Sequence, residues 1–352
     1  MQNSGKYPSR FEIEQALSEF CKRGFLDNFA QKRGIFIAGA IQSELAHILS
    51  SFFFEYKDIE AVRAAAFHVH SRSTISGFIL HSKEDGFNLI GLLDDLRSSL
   101  VDEKREMRLG QLIQLEIDDK AVYQGHVDYV YKKPGRIEFL QEDSRSFEYY
   151  VQETKEGEWK VLVDCNRSTD ARVMEDWIKR KAGREVEFLT IDDDLLSSSE
   201  SIRFFDELAR KGMPYDWYFT KVKHLILRRG LEDEEEVEKS ELSGITQAIL
   251  EGNDLRDNPF VKQSEESGYR FTAMTFEYEH KTKPYILQIR AEFKGRPKVF
   301  EVELKSSKER VGTEEKLEDL SLKPSDELRI SSDFWARAKE VFDELRRAKK
   351  SE

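Results

Sequence analysis

The sequence contains very little cysteine: Cys21 and Cys165 are the only two in 352 residues. Two isolated thiols provide neither a disulfide framework nor a four-thiolate zinc site, which favours a reducing, cytoplasmic environment. Long hydrophobic runs are also missing, because the most apolar stretch, around residues 34–40, is far shorter than a bilayer span. The N-terminal residues carry no signal-peptide pattern. We therefore expect a cytoplasmic protein that does not engage a membrane.

Several catalytic signatures are absent from the sequence. It contains no Walker loop, no dinucleotide-binding glycine fingerprint, no Gly-x-Ser-x-Gly elbow and no zinc motif. Nucleotide hydrolysis and dinucleotide redox chemistry are therefore not expected. Mg²⁺ is the one cofactor for which the residues suggest a site.

The chain has fewer positive than negative side chains. The chain has 56 Lys and Arg against 68 Asp and Glu, and its formal net charge is -12. Because the chain as a whole repels a polyanion, contact with nucleic acid would need a local basic patch. Hydrophobic residues make up 39% of the chain and include 24 Phe, which is enough to build packed cores.

The first third of the chain has the periodicity of helices. Apolar residues recur at spacings of three and four across residues 10–108, beginning with Phe11. Gly24 and Gly34 each follow a Lys-Arg pair and are predicted to end the first and second helices. The three consecutive phenylalanines at 52–54 predict burial on more than one side. The predicted buried face of the third helix comprises Leu45, Ile48, Leu49 and Phe52.

Beyond residue 109 the apolar period changes to two. Residues 109–165 predict an antiparallel meander, which leads into a strand-helix-strand unit whose two strands are expected to be parallel. A second meander is predicted over residues 269–304 and a final helix over 333–347, while the charged stretch 305–330 is predicted to be irregular. The fold class is therefore α+β, with a helical N-terminal region and two antiparallel β-meanders. The predicted domains are 1–108, 109–230, an acidic linker or helix at 231–268, and 269–352.

Two basic pairs, Lys22-Arg23 and Lys32-Arg33, precede the glycines that are predicted to end helices. Cations near the C-terminus of a helix offset its dipole, so ordinary helix ends also account for these pairs. The order of helix, short extended stretch, glycine and helix resembles a SAP-like module, on the residues Leu26, Arg33-Gly34, Gly39, Glu44-Leu45 and Leu49. The resemblance implies contact with DNA phosphates through Lys22, Arg23, Lys32 and Arg33.

Acidic residues follow both strands of the predicted strand-helix-strand unit. Asp164 ends the first strand, and Asp192, Asp193 and Asp194 end the second. If the strands are parallel neighbours, Asp164, Asp192 and Asp194 meet at one sheet edge and could hold Mg²⁺ for phosphodiester hydrolysis. The same residue types are also good helix caps and turn formers.

Two short stretches resemble parts of nuclease families. Residues 161–171 resemble the start of a Toprim domain. Glu303-x-Lys305 resembles the second half of the PD-(D/E)xK nuclease signature, in which the carboxylate binds metal and the lysine polarises water. Both resemblances imply a Mg-dependent nuclease, whereas alternating Glu and Lys on a strand face also arises from cross-strand charge pairing.

The most basic aromatic segment spans residues 217–230. Aromatic rings at its start are followed by cations, and no acidic residue interrupts it. Aromatic rings beside cations suit stacking on the bases of single-stranded DNA, although buried rings next to solvated lysines give the same pattern. The candidate nucleic-acid contacts are Lys221, Lys223, Arg228 and Arg229, after the rings of Trp217, Tyr218 and Phe219.

The sequence leaves three functions open. The first is a noncatalytic protein that associates with nucleic acid or with a protein partner. In its layout the chain is similar to accessory subunits of bacterial anti-phage defence complexes, which implies a DNA-sensing role, and its acidic remainder would dock a basic partner. The second is a Mg-dependent nuclease. The third is a structural interaction protein without nucleic-acid contact.

Overall fold

The protein is described from a computed structural model. The structure describes residues 7–21, 23–36, 40–67, 74–83, 86–95, 100–102, 105–117, 120–132, 140–166, 169–182, 186–214, 216–229, 245–253, 255–294, 298–311 and 316–350. The acidic stretch 232–241, which was predicted to mark a linker, lies outside these residues. No helix in the described part of the chain is long and apolar enough to cross a membrane.

The chain divides into two compact units, each assembled from separate segments. Unit 1 consists of Met1–Ser71, Leu93–Leu112 and Gly125–Phe147, and unit 2 consists of Arg72–Leu92, Ile113–Gln124 and Glu148–Glu352. The predicted boundaries after residues 108, 230 and 268 are not the ones that separate these units. The reason is strand pairing, which joins a segment near residue 75 to strands that come much later in the chain.

The described elements confirm the α+β class and the helical N-terminus. The helices are α1 (Arg10–Gln15), α2 (Arg23–Gln31), α3 (Gln42–Ser50), α4 (Tyr56–Phe67), α5 (Leu89–Asp95), α6 (Asp170–Ala182), α7 (Ser198–Lys211), α8 (Pro259–Glu266) and α9 (Pro324–Lys350). A π-helical turn, Ala16–Phe20, continues α1. The strands are β1 (Thr74–Ser82), β2 (Leu100–Asp102), β3 (Arg105–Leu109), β4 (Ile113–Ile117), β5 (Lys120–Lys132), β6 (Glu142–Lys155), β7 (Glu158–Cys165), β8 (Val186–Leu189), β9 (Trp217–Arg229), β10 (Gln247–Glu251), β11 (Tyr269–His280), β12 (Tyr285–Lys294), β13 (Val299–Val311) and β14 (Lys316–Asp319).

In unit 1, the end of α2 follows from its glycine. Gly34 has φ 72°, and its N–H donates to the carbonyl of Gln31, while the N–H of Ile35 donates to the carbonyl of Ala30. These two bonds form a Schellman motif, so the predicted end of the second helix at Gly34 is confirmed. The apolar core of these helices includes Ile13, Leu17, Leu26, Phe29, Leu45, Leu49 and Phe54.

The predicted helix end at Gly24 is wrong. Gly24 lies in the first turn of α2, which begins at Arg23, and the preceding helical segment ends at Phe20 with an extended Cys21. A Cβ atom added to Gly24 would meet nothing within 4 Å. Gly24 is therefore part of the first turn of α2, where its low helix propensity costs little stability, and it does not end the preceding helix.

Unit 2 is built on an antiparallel sheet with the strand order β10-β9-β11-β12-β13-β1-β7-β6, in which β6 contributes residues 148–155. β1 joins the two predicted meanders, because Thr74 is paired with Glu303 of β13 and with Cys165 of β7. The sequence predicts helices up to residue 108 and misses β1. Burial alternates along β1, but the buried face carries Ser76 and Ser82 and the other face carries Ile79, so the sequence lacks the alternation of apolar and polar residues that reveals a half-exposed strand.

Two helices pack on this sheet in one apolar core. Phe204 and Phe205 of α7 and Phe334 and Trp335 of α9 are fully buried there with the aromatic rings of β11 and β12. α7 begins at a capping box that the sequence Ser197-Ser198-Ser199-Glu200 predicts, in which the Ser197 side chain accepts from a backbone N–H of the first turn.

The C-terminal region is more regular than its charge suggests. β13 extends to Val311, β14 follows, and α9 begins at Pro324, so the prediction of an irregular stretch over residues 305–330 is wrong. The residues of β13 beyond its buried start are half-exposed, which allows charged side chains in a paired strand.

Candidate functional site

The first predicted basic pair does not offer two free cations to a phosphate backbone. Lys22 lies outside the described residues. The guanidinium of Arg23 donates from Nε to Oδ1 of Asp27 at 2.9 Å and from Nη1 to the carbonyl oxygen of Ala40 at 2.6 Å. Arg23 therefore holds α2 to the segment that precedes α3.

The second basic pair divides into a structural arginine and an exposed lysine. Nη2 of Arg33 lies 2.5 Å from Oδ2 of Asp58, and the Arg33 side chain is only 24% exposed. Its guanidinium carbon lies 3.8 Å from the ring centre of Phe29 and 5.6 Å from that of Phe54. Lys32 is exposed. Both arginines of the expected positive surface are therefore paired with carboxylates within the protein.

The predicted cations of β9 are also engaged within the protein. The Nζ atoms of Lys221 and Lys223 lie 3.4 Å and 3.7 Å from the carboxylate of Glu277. Nε of Arg228 donates, at 3.0 Å, to the side chain of the glutamine that faces it on β10. Arg229 is half-buried. Lys221 and Lys223 are therefore paired with a carboxylate, whereas Arg228 is exposed and bonds a neutral amide.

The rings that precede these cations are held by neighbouring side chains. Trp217 lies edge-on to His280 with ring centres 4.9 Å apart, and the hydroxyl of Tyr218 donates to Glu279 at 2.7 Å. Phe219 lies edge-on to two rings of β11. Trp217 and Phe219 are therefore held by ring contacts, whereas the side chain of Tyr218 is 45% exposed, so the structure does not display all three rings as a stacking platform.

β7 and β8 run in the same direction, as predicted, but they are not neighbours. Ile79 of β1 is paired with Lys160 of β7 and also with Leu189 of β8. Since a strand has two pairing edges, β1 lies between β7 and β8. Asp164, near the end of β7, is therefore separated from the acidic residues that follow β8.

The three acidic residues after β8 occupy structural positions. Asp192 caps a short 3-10 turn by accepting the N–H of Asp194 at 3.0 Å, and Asp194 itself is exposed. The fully buried Asp193 forms ion pairs with Arg270, at 2.9 Å, and with Lys298. Within the described residues there is no group of three or more His, Cys, Asp or Glu side chains that could hold a metal ion. The structure therefore does not bring the predicted Mg²⁺ ligands together.

The Glu303-x-Lys305 pair lies on β13 and is satisfied internally. Nζ of Lys305 lies 2.8 Å from Oε2 of Glu303. Glu303 is also opposite Arg290 of β12 in the strand register. This arrangement is typical of charge pairing on a sheet face.

Exposed apolar side chains are concentrated on the N-terminal helices of unit 1. Among the described residues, fifteen large hydrophobic side chains are exposed, and eight of them fall between residues 7 and 56. Single exposed apolar residues are common, whereas a group of them marks a binding surface. We define the apolar surface as Tyr7, Phe11, Ile41, Ile48, Phe52 and Phe53.

Helical spacing aligns part of the apolar surface along α3. Ile41, at the N-cap, and Glu44 and Ile48 follow one another at intervals of three or four residues, so they form one stripe along the helix. Phe52 lies two residues beyond the end of the helix. Ile41 is 62% exposed, Ile48 37% and Phe52 45%, while the neighbouring face, which carries the leucines of α3, is buried. The prediction that Ile48 and Phe52 share the buried face is therefore wrong.

The segment around α1 adds aromatic residues to the same region. Glu14 of α1 lies 3.0 Å from His47 of α3, whereas the hydroxyl of Tyr7, before α1, donates to the carbonyl oxygen of Phe54, after α3, at 2.6 Å. α1 therefore runs antiparallel to α3. Phe11 is 72% exposed and lies three residues before Glu14, on the same face of α1 as this contact with α3.

The border of the apolar surface is acidic. The carboxylates of α1, its π-helical turn and α3 cap helices or accept from Gln and His side chains. Those that form no ion pair with Lys or Arg within the described residues are Glu12, Glu14, Glu19 and Glu44. By contrast, the cations of these helices that do pair with a carboxylate are Arg23, Arg33, Lys57 and Arg63. The described cations of these helices without an ion pair are Arg10 and Lys32, so uncompensated charge next to the apolar surface is mainly, but not wholly, negative.

The sequence contains a signal for this surface in its three consecutive phenylalanines. In the structure only Phe54 enters the core, while Phe52 is 45% and Phe53 81% exposed. Three adjacent side chains point in different directions, so a small helical unit cannot bury all of them. The triplet therefore indicates an excess of apolar surface, although the sequence predicts burial.

Comparisons with known proteins give little support for any function. The sequence matches no protein-family model. No curated protein matches it. Among solved structures, the crystal structure of DynU16, a protein in the dynemicin biosynthetic locus, is similar with 10% identity, coverage of 76% of this chain and 97% of that chain, and a TM-score of 0.19. At that TM-score the similarity supports no conclusion about fold or function.

Proposed function

We propose that the protein is a noncatalytic partner-binding protein, whose apolar surface docks a segment of another protein with cations around apolar anchors. The observation that carries the proposal is the grouping of six exposed apolar side chains around α1 and α3. Apolar area removed from water stabilises a complex by about 25 cal/mol per Å², so a partner that covers these side chains gains affinity. A cytoplasmic location stays a prediction from the scarcity of cysteine.

Charge complementarity favours a basic partner. Glu44 lies inside the apolar stripe of α3, between Ile41 and Ile48, and Glu14 lies on the adjoining helix. A basic amphipathic helix, with Lys or Arg beside Leu, Ile or Phe, places cations opposite these carboxylates while its anchors cover the stripe. The same carboxylates and the net charge of -12 disfavour DNA and anionic lipid as occupants.

Two model peptides test the proposal by calorimetric titration of the full chain at physiological ionic strength. One is an amphipathic helix of Leu and Lys, and the other has Glu in place of Lys. We expect the Lys peptide to bind at least about tenfold more tightly. The triple variant Phe11→Ser/Ile48→Ser/Phe52→Ser keeps the net charge and should weaken that binding at least about tenfold, because it removes the apolar anchors.

A matched control separates docking from general attraction to an acidic chain. Ile113→Ser/Ile249→Ser/Leu317→Ser replaces three residues of unit 2 that are 57%, 56% and 47% exposed, and it should bind the Lys peptide like the wild type. Equal binding by the Phe11/Ile48/Phe52 variant would contradict the proposal. So would a wild-type dimer that this variant converts to monomer, since the occupant would then be a second copy.

The nucleic-acid alternative has its own test. Duplex and single-stranded DNA are titrated at several salt concentrations, and we expect no binding beyond a weak, strongly salt-dependent background. DNA binding that is abolished by Lys32→Glu, in a protein that remains folded, would favour the nucleic-acid function over the proposed one. Nicking of plasmid DNA in Mg²⁺ that is lost in Asp164→Asn would instead support the nuclease.

A further inference from the structure

A cavity in unit 2 lies beneath the first turns of α9. Its volume is about 150 Å³, and it opens between α9 and the strands β5, β6 and β7. All of the residues that line it belong to unit 2. Cavities of about this volume take up benzene in an engineered protein, so a molecule of the size of one six-membered ring fits here.

The strand residues divide the cavity into a polar end and an apolar end. Each strand contributes one polar and one apolar side chain from the same face, two positions apart. In the register of β6 and β7, Gln152 is opposite Lys160, and Tyr150 is opposite Leu162. The corresponding residues of β5 are Lys120 and Val122. The cavity is therefore amphipathic along the strand direction.

Positive charge predominates at the polar end. Lys120, Lys160 and Arg329 line the cavity together with one carboxylate, that of Asp333. Lys160 is half-buried and forms no ion pair with any residue that the structure describes. Burial lowers the pKa of Lys160, even though Asp333 opposes the shift, and Lys120 adds to it. The cavity therefore has three cations and one carboxylate in its lining, and of the cations Arg329 also lies 3.8 Å from Asp326.

We propose that this cavity binds a small organic monocarboxylate. Lys160, flanked by the two other cations of the cavity, holds the carboxylate, and a ring-sized apolar body lies against Tyr150, Leu162 and Val122. The cations disfavour a neutral ring of the same shape, because it would leave the excess positive charge of the cavity uncompensated. The apolar end distinguishes the ligand from an inorganic anion, which would leave that surface uncovered.

The experiment uses the full chain with isotope-labelled Leu and Val methyl groups and follows their NMR signals. Benzoate is the probe, benzamide is its neutral isostere, and inorganic phosphate is an anion without an apolar body. Benzoate should shift the methyl signals of Val122, Leu162 and Leu328 saturably. Benzamide should bind at least about tenfold more weakly, and phosphate should not displace benzoate at equal concentration.

Two lysine variants complete the test. Lys160→Met keeps the length and apolar stem of the side chain, and it should weaken benzoate binding at least about tenfold. Lys262→Met removes a lysine of α8 that is 58% exposed, and it should bind benzoate like the wild type. A melting temperature for each variant shows that it is folded.

Three results would overturn the proposal. The first is the absence of saturable shifts with benzoate at millimolar concentration. The second is phosphate that binds as tightly as benzoate and displaces it, since the site would then recognise charge alone. The third is unchanged benzoate binding by folded Lys160→Met. None of these outcomes bears on the apolar surface of unit 1, so the two proposals fail independently.

Discussion

Arg33 is expected to stabilise the N-terminal helices and not to contact DNA, and Arg33→Ala tests that role. The variant removes the guanidinium that lies over Phe29 and pairs with Asp58. Asp58 is only 12% exposed and also accepts the N–H of Glu55 at 2.8 Å, where α4 begins. Without Arg33 this carboxylate keeps its capping bond but loses its countercharge.

Two interactions set the size of the stability loss in Arg33→Ala. A cation over an aromatic ring contributes about 0.5–2 kcal/mol. A buried carboxylate that loses its partner costs about 1–3 kcal/mol. Together these terms predict that opening of the helices becomes easier by about 1.5–5 kcal/mol, which corresponds to about 10-fold to about 5,000-fold faster amide exchange. Lys32→Ala changes the net charge equally, but Lys32 is exposed, so its exchange should stay close to wild type.

Hydrogen exchange read by mass spectrometry is the appropriate assay. Peptides from α2 and α4 report the effect, and peptides from β11, in the other unit, serve as an internal reference. Tryptophan fluorescence would not detect the opening of these helices, because all four tryptophans lie in unit 2. Arg33→Ala that leaves exchange within about twofold of wild type, yet loses measurable DNA binding, would refute the structural assignment and restore the phosphate contact.

Three further predictions concern unit 2, where tryptophan fluorescence follows urea unfolding. Asp193→Asn leaves Arg270 and Lys298 without their shared carboxylate, so the free energy of unfolding should fall by about 3–5 kcal/mol, and added Mg²⁺ should not restore it. Burial raises the pKa of Glu301 from 4.5 to about 7; the folded state therefore holds a proton that the unfolded state releases, and stability is lost as pH rises through that range. Unfolding at about pH 5 and about pH 8 should differ by about 2–3 kcal/mol more in wild type than in Glu301→Gln, and an equal pH dependence would argue against the assignment. Burial lowers the pKa of Lys160, so the unfolded state binds the proton more tightly; Lys160→Met should raise the melting temperature near neutral pH, and that gain should shrink as pH rises towards 10.5, the ordinary value.

Local signals in the sequence were sufficient to predict where several helices begin or end. The capping box at Ser197 predicts the start of α7, and Gly34 predicts the end of α2, because each depends on hydrogen bonds within a few residues. Local signals do not predict β1. Its burial comes from β7 and β13, whose residues lie about 90 and about 230 positions later in the chain.

The candidate sites were less predictable than the elements, because their electrostatics depend on distant partners. The sequence shows Arg33 beside Lys32 as a basic pair, but only the folded chain brings Asp58 to its guanidinium. The sequence likewise predicts that Asp164 and Asp192 lie close together, but in the structure β1 lies between β7 and β8 and separates them. Composition identifies which charges exist, whereas pairing over long sequence separations decides which of them remain uncompensated.

The wrong burial prediction for α3 and the proposed docking site concern the same residues. Apolar periodicity measures how favourable it is to remove Ile48 and Phe52 from water, and it does not specify what removes them. In the isolated chain both side chains remain exposed. If a basic helix covers them, the apolar periodicity correctly predicts that Ile48 and Phe52 are buried, but it does not predict that a partner buries them. The Ser variant of this surface decides between these accounts: it should leave the stability of unit 1 nearly unchanged and should weaken only the peptide complex.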